Sequence, residues 1–296
     1  MPTPIQQILK RLRKYEIRIR KTVNGPMHGD FHSLFKGAGL EFDDVRSYQY
    51  GDDVRSINWI VTAKGHGSFV NTFKEEKEQT VFFLLDVSAS QEIGREGRQK
   101  MDIAREICGV LSLSAIRESS QVGLIGYSEE KELYIKPGKG PRHAYQLIGR
   151  MFRLQPRSKG TNLAGAIRFA LGMIKRRSVV VLVSDFIDEG YEKNLKALAR
   201  KHDLVVVHLY DPQETNLPSL GIVPLHDKES GKTLWLNTSS SSFKKIVRQR
   251  VSGSQGTLEN LCRRNQADYI SIRTDEDYVP GLTRLFIGRN KQMKRG

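Results

Sequence analysis

The chain has 296 residues, of which 38% are hydrophobic and 27% charged, a composition typical of soluble globular proteins. The 48 lysines and arginines against 33 aspartates and glutamates give a formal net charge of +15 at pH 7. Such a charge can attract nucleic acid, an anionic membrane surface or an acidic protein, without choosing among them. No run approaches the roughly 20 apolar residues of a membrane-spanning helix. With only two cysteines, which predict no zinc cluster or disulfide framework, we expect a cytoplasmic protein.

Residues 1–23 are predicted to form a basic amphipathic helix. Pro4 suits the first helical turn, and Ile8, Leu12 and Ile19 recur at helical spacing among lysines and arginines. A helix of this kind can lie on a membrane or bind a partner. We prefer the plainer interpretation, in which the helix packs on the body and exposes its basic face to solvent.

Residues 24–78 are punctuated by glycines and contain strand-like pieces such as 68–73. We predict an irregular, partly β extension packed on the body, with Trp59 as its anchor. Its aspartates and arginines, including Arg46 and Asp52, could form a second site. The preferred interpretation is a structural ion network, because paired charges of opposite sign more often stabilise structure.

From residue 79 onward, apolar runs of strand length alternate with helical patterns. Near-continuous apolar runs are typical of strands buried on both faces of a parallel sheet, and alternation with helices indicates an open sheet covered on both sides. We therefore predict an α/β fold with a doubly wound, mostly parallel sheet over residues 79–211. The strands are predicted at 80–86, 121–127, 178–185, 203–209 and 267–272, and the helices at 100–117, 141–153, 161–175, 190–201 and 239–265.

Residues 212–296 are predicted to be an extension that completes the same fold. A hairpin pairs 221–225 with 232–236 across the turn at Ser230-Gly231, and a helix and a last strand follow.

Acidic and hydroxyl side chains follow the predicted strands at the points where those strands end. Asp86, Ser88 and Ser90 alternate directly after the first strand, Asp185 follows another, and Thr161 lies between them at a predicted helix start. In a doubly wound sheet, ligands bind at the carboxyl ends of the strands. The five residues therefore form the candidate site, although Asp86 could instead cap a helix and the serines could satisfy loop backbone groups.

The chemistry of this set favours a hard cation. Two carboxylates and three hydroxyls are oxygen ligands of the kind that Mg²⁺ or Mn²⁺ prefers. With so few charged ligands, we expect weak binding, or a site that is empty without a partner. An ion held mainly by hydroxyls and water would attract a carboxylate from a protein partner.

The motif Asp86-Val87-Ser88-Ala89-Ser90, together with Thr161 and Ser184-Asp185, resembles the metal site of von Willebrand factor A-type domains. A longer resemblance links the chain to the bacterial domain-of-unknown-function family fifty-eight. Segments 37–48 and 51–59 resemble that family's upstream signature, and 211–214, Leu217-Pro218 and Thr274-Asp275 its downstream segment. The chain departs from the signature at Asn58, usually aspartate, and at Lys64, often arginine.

The resemblance implies a Rossmann-like von Willebrand factor A fold and a metal-ion-dependent adhesion site that binds protein. It also implies a partnership with a MoxR-type AAA+ ATPase, or with the client of that ATPase, in protein maturation or complex assembly. We expect no enzymatic activity, because no nucleophile–histidine–acid order and no glycine-x-serine-x-glycine elbow is present. Two alternatives stay open: a nucleic-acid binder, suggested by the +15 charge, and a metal-dependent hydrolase.

Overall fold

The computed structural model describes residues 4–23, 39–65, 67–76, 79–216, 218–226, 231 and 233–293. The α-helices are α1 (Pro4–Val23), α2 (Trp59–Thr62), α3 (Lys100–Arg117), α4 (Gly140–Arg153), α5 (Leu163–Met173), α6 (Glu192–Lys201), α7 (Ser241–Arg264) and α8 (Val279–Met293). The strands are β1 (Gly39–Ser47), β2 (Phe69–Glu76), β3 (Thr80–Asp86), β4 (Gly94–Arg95), β5 (Arg98–Gln99), β6 (Gln121–Tyr127), β7 (Lys131–Gly138), β8 (Val179–Ser184), β9 (Asp203–Tyr210), β10 (Ile222–His226), β11 (Thr233–Asn237) and β12 (Asp268–Arg273).

Six strands form the central sheet in the order β12-β9-β8-β3-β6-β7. All neighbours are parallel except β7, which pairs antiparallel with β6 at the edge. From β3 the chain builds outward to β6 and β7, then crosses back and continues on the other side with β8, β9 and β12. This order, with a reversal between β3 and β8, defines a doubly wound α/β fold and confirms the predicted fold class.

Alternate residues of the central strands face two separate cores. Phe83 packs on one side with α3, α4 and α8, whereas Leu84 packs on the other side with α5, α6 and α7. This follows from the two-residue period of a strand. It explains why the innermost strands β3 and β8 are nearly continuous apolar runs: every residue of β8 is buried, so neither of its faces tolerates solvent-facing polar side chains.

Helix α1 packs on the body of the protein. Leu12 and Ile19 are fully buried in the same core as Phe83, and the charged face is partly tied down. Arg11 forms a 2.6 Å ion pair with Glu106 on α3, and Arg18 a 2.6 Å pair with Asp277 just before α8. The preferred interpretation of the basic helix therefore agrees with the structure. Among the described helices, none combines the length and apolar character needed to span a bilayer.

The upstream segment contains an antiparallel pair, β1 with β2. The guanidinium of Arg46 holds both carboxylate oxygens of Asp52 at 2.8 Å and lowers the pKa of that carboxyl group, in line with the expected ion network. The predicted anchoring role of Trp59 is wrong, because 66% of the residue is exposed. None of the segment's described side chains belongs to either core.

The C-terminal part follows the prediction except for one additional helix, α8. The hairpin pairs β10 with β11, α7 follows, and β12 extends the central sheet beside β9. The sequence interpretation omitted the edge strand β7 and the helix α8, which contributes Leu282 and Phe286 to the core shared with α1.

Candidate functional site

The candidate site lies at the point where the strand order reverses. Asp86 is the last residue of β3, and Asp185 directly follows Ser184, the last residue of the neighbouring parallel strand β8. Carboxyl ends of adjacent strands on either side of a reversal form a crevice between the outgoing loops. Both predicted aspartates therefore lie in the position where doubly wound folds bind ligands.

The first three predicted residues form one hydrogen-bonded group around Asp86. The backbone N–H of Ser88 donates to Asp86 Oδ1 at 3.0 Å, and the Ser88 hydroxyl donates to the same oxygen at 2.7 Å. Ser90 Oγ lies 3.0 Å from Ser88 Oγ. On the other carboxylate oxygen, Asp86 Oδ2 accepts a 2.6 Å bond from Ser184 Oγ. The loop after β3 therefore gathers Asp86, Ser88 and Ser90, and Ser184 joins them from β8.

Burial dominates the electrostatics of Asp86. Its side chain is fully buried, and this desolvation, with a smaller contribution from the charge of Asp185, raises its pKa to about 7. Hydrogen bonds from Ser184 and Ser88 oppose the rise. A carboxylate buried in this way is stabilised in its charged form by a nearby cation. Without such a cation, this environment favours the protonated form of Asp86.

Thr161 lies on the loop before α5, two residues after Lys159, which contacts the Asp86–Ser90 loop. The backbone N–H of Ala89 donates to the carbonyl of Lys159 at 2.8 Å, so the loop before α5 runs beside the Asp86–Ser90 loop. The predicted helix start at 161 is wrong by two residues. Helix α5 begins at Leu163, and Asn162 caps it by accepting a bond from the N–H of Gly165.

The structure pairs Asp185 with a residue that the sequence interpretation missed. Lys100, the first residue of α3, is fully buried, and its Nζ lies 2.6 Å from Asp185 Oδ2 and 2.5 Å from Glu214 Oε1. Burial disfavours the ammonium, but the carboxylates of Asp185 and Glu214 outweigh this effect and raise the pKa of Lys100. Asp185 is therefore one arm of a buried ion network.

A cavity of about 300 Å³ opens beside the site. Part of its wall comes from the first loop, through Val87 and Ala89, and part from the loop before α5, through Lys159. His226 at the end of β10 adds a further side. The cavity therefore borders the loops that carry the candidate ligands.

The donor set is rich in hydroxyls and poor in carboxylates. In the part of the chain that the structure describes, no group of three or more histidine, cysteine, aspartate or glutamate side chains is placed to hold a metal. A cation at this site would therefore depend on serine and threonine oxygens, as the sequence pattern predicts.

The fold and the site together define a doubly wound α/β domain. Its acidic and hydroxyl side chains lie at the point where the strand order reverses. The chain belongs to the family described as "Protein of unknown function DUF58", which matches residues 44–255. This result confirms the resemblance noted in the sequence. An uncharacterized protein of Mycobacterium tuberculosis is 25% identical to this chain over 95% of its length and 89% of the relative's.

Solved structures with a similar arrangement include a conserved hypothetical protein, BatB, from Bacteroides thetaiotaomicron. It is 13% identical, covers 74% of this chain and 100% of its own, and has a TM-score of 0.48. The vWF domain of the pilus tip protein Mfa5 from Porphyromonas gingivalis is 12% identical, covers 73% of this chain and 95% of its own, and has a TM-score of 0.37.

Proposed function

We propose that the protein is a divalent-metal-dependent protein-binding module, with no catalytic role, and that Asp86, Ser88, Ser90, Thr161 and Asp185 form its metal-ion-dependent adhesion site. The observation that carries the proposal is the 3.0 Å separation of the Ser88 and Ser90 hydroxyl oxygens beside a fully buried carboxylate. Octahedral Mg²⁺ with ligands at 2.0–2.1 Å places neighbouring oxygens about 2.9 Å apart. The separation of Ser88 Oγ and Ser90 Oγ therefore matches the distance between two neighbouring ligand oxygens of such an ion.

The hydrogen bonds around Asp86 also orient the hydroxyls for this role. Because Ser88 Oγ donates its proton to Asp86 Oδ1, its lone pairs are left available for a cation. The buried charges support the same conclusion. Asp86, Asp185 and Glu214 are three acids against the single ammonium of Lys100, and a dication would offset the excess. Mg²⁺ or Mn²⁺, when bound, would supply an electrophilic centre for an incoming carboxylate.

The surroundings of the site suit a partner with an acidic side chain. Lys159 and His226 line the cavity together with the acidic Glu92, and the exposed ammonium of Lys159 gives the approach one positive charge that can attract a carboxylate. We propose that the partner is a MoxR-type AAA+ ATPase or its client. Membership of the family supports this choice, because the resemblance described in the sequence analysis implies a partnership with such an ATPase or its client.

A co-purification experiment tests the proposal. The MoxR-type ATPase from the same organism is incubated with the full chain in Mg²⁺ or in EDTA, and capture is compared among wild type, Asp86→Ala and Glu189→Ala. Glu189 is an exposed acid just beyond Asp185 and serves as the matched control. We expect capture to require both Mg²⁺ and Asp86 and to survive the control substitution.

Capture that is insensitive to EDTA and to Asp86→Ala would contradict the metal-bridge mechanism. The hydrolase alternative has its own test, in which the purified chain is assayed for phosphatase and nuclease activity with Mn²⁺. Activity that is lost in Asp185→Ala would contradict the non-catalytic role.

A further inference from the structure

The buried lysine of the site requires an explanation beyond packing. Lys100 is fully buried and holds Asp185 at 2.6 Å and Glu214 at 2.5 Å. Buried ammonium groups are costly unless they are paired. Two carboxylates from separate loops, one after β8 and one after β9, meet this requirement. The sheet edge that carries the candidate metal ligands thus already contains one fixed positive charge.

The position of Glu214 is set by its own local structure. Its Oε2 accepts a 3.0 Å bond from the backbone N–H of Asp211, which closes a reciprocal capping box over Pro212–Glu214. Asp211 is in turn held by the hydroxyl of Thr274, after β12. The loops after β9 and β12 therefore orient Glu214 toward Lys100, and the network is built from four parts of the chain.

This ammonium acts on the same ligands that a divalent ion needs. Lys100 offsets part of the charge of Asp185, and a dication that approaches Asp86 from the crevice would also experience repulsion from a buried positive group. Charges that are removed from water are weakly screened, so the repulsion persists at physiological salt. Glu214 has the opposite effect, because its carboxylate offsets the ammonium.

We propose that the buried ammonium of Lys100 limits the affinity of the Asp86–Ser88–Ser90 site for divalent ions, and that the carboxylate of Glu214 counteracts this effect. The inference rests on the proposed metal site and goes beyond it. Lys100 is a positioning and charge-setting residue that does not contact the ion. Because Lys100 lowers the affinity for the ion, metal occupancy of the site depends on added negative charge, such as the carboxylate of a bound partner.

The electrostatic role predicts changes in ion affinity of opposite sign in two variants, and this separates it from a purely structural role. A substitution that only loosens the site should weaken ion binding whichever member of the pair is changed. The electrostatic role predicts that Lys100→Met tightens binding and that Glu214→Gln weakens it. Lys159→Gln is the matched control, since it also removes one positive charge beside the site, but from an exposed side chain.

The experiment measures Mn²⁺ binding to the full chain by electron paramagnetic resonance of the free ion, with Asp86→Ala as the background. Relative to wild type, we expect the dissociation constant to fall by about tenfold or more in Lys100→Met. It should rise several-fold in Glu214→Gln and change less than about twofold in Lys159→Gln, where solvent screens the charge.

Unchanged or weaker binding in Lys100→Met, with measurable binding to wild type, overturns the inference and leaves the proposed function intact. If Lys100→Met fails to fold, Glu214→Gln decides alone, because its partly exposed carboxylate is less critical to folding. Unchanged or tighter binding in that variant overturns the inference. Binding that appears only in Lys100→Met supports it. No binding above background in any variant overturns the metal site and the inference together.

Discussion

Substitution of Asp86 by asparagine is expected to stabilise the metal-free protein while it abolishes metal binding. Asp86 is fully buried, and burial raises its pKa from 3.8 to about 7. A difference of that size corresponds to about 4 kcal/mol of unfavourable free energy for the ionised side chain. Asparagine has nearly the same shape, and its Oδ1 can still accept the bonds from Ser88, without the charge.

The sign of the pH dependence follows from the direction of the shift. Because the folded pKa lies above the unfolded value, the folded state binds the extra proton between pH 4 and pH 7. The wild-type free energy of unfolding, measured in EDTA, should therefore fall as pH rises from about 4 to about 7, by about 4 kcal/mol in total from this group and by about 2 kcal/mol above pH 5.5. Asp86→Asn should lack this loss, and Glu189→Gln, at an exposed site, should retain it.

Urea unfolding at pH 5.5 and pH 8.5 in EDTA measures the effect, and a repeat with Mn²⁺ links it to function. A ligand at 100 times its dissociation constant stabilises by about 2.7 kcal/mol, so Mn²⁺ should restore wild-type stability at pH 8.5 and leave Asp86→Asn unchanged. The reasoning is refuted if wild type and Asp86→Asn lose the same stability between the two pH values, or if Mn²⁺ stabilises both equally.

Three further predictions test other parts of the structure by urea unfolding. Leu12→Ala, in the fully buried face of α1, should lower the free energy of unfolding by about 2–5 kcal/mol. Ile17→Ala, on the exposed face of the same helix, is the control and should lower it by less than about 1 kcal/mol. Equal losses in the two variants would contradict the packing of α1. His202 is buried, which lowers its pKa to about 4, so stability should be lost as pH falls from 6.5 toward 4, by about 3 kcal/mol from this group. His202→Gln should flatten that part of the profile, and an unchanged slope would count against the assignment. Trp59→Ser should change the free energy of unfolding by no more than about 0.5 kcal/mol, because the residue is exposed; a larger loss would restore its anchoring role.

The fold was predictable because its signal is local and repeated. The innermost strands β3 and β8 each contain five consecutive apolar residues, as in Val179–Ser184, and burial on both faces imposes that pattern on a strand inside the sheet. The edge strand β7 carries a weaker pattern, since its residues are partly exposed. The exposure of Trp59 was not predictable from its residue type, because a large aromatic side chain usually contributes to a core.

The Asp86–Ser90 part of the site was predictable for the same reason. Asp86, Ser88 and Ser90 lie within five residues of one another, and their hydrogen bonds join neighbours two positions apart. The contribution of Asp185 required the strand order as well. It follows from the rule that parallel strands end at one edge of the sheet.

The charge of the site was not predictable in this way. Lys100 meets Asp185 across 85 residues of sequence and Glu214 across 114, and no spacing rule connects positions so far apart. The three side chains meet because α3 begins, and β8 and β9 end, at the same edge of the sheet. Since metal affinity depends on the summed charge around the ligands, two proteins with the same Asp-x-Ser-x-Ser motif can differ in affinity when one lacks a lysine at this helix start. If the proposed metal site exists, the motif specifies where an ion would bind, and the topology specifies the charge around it.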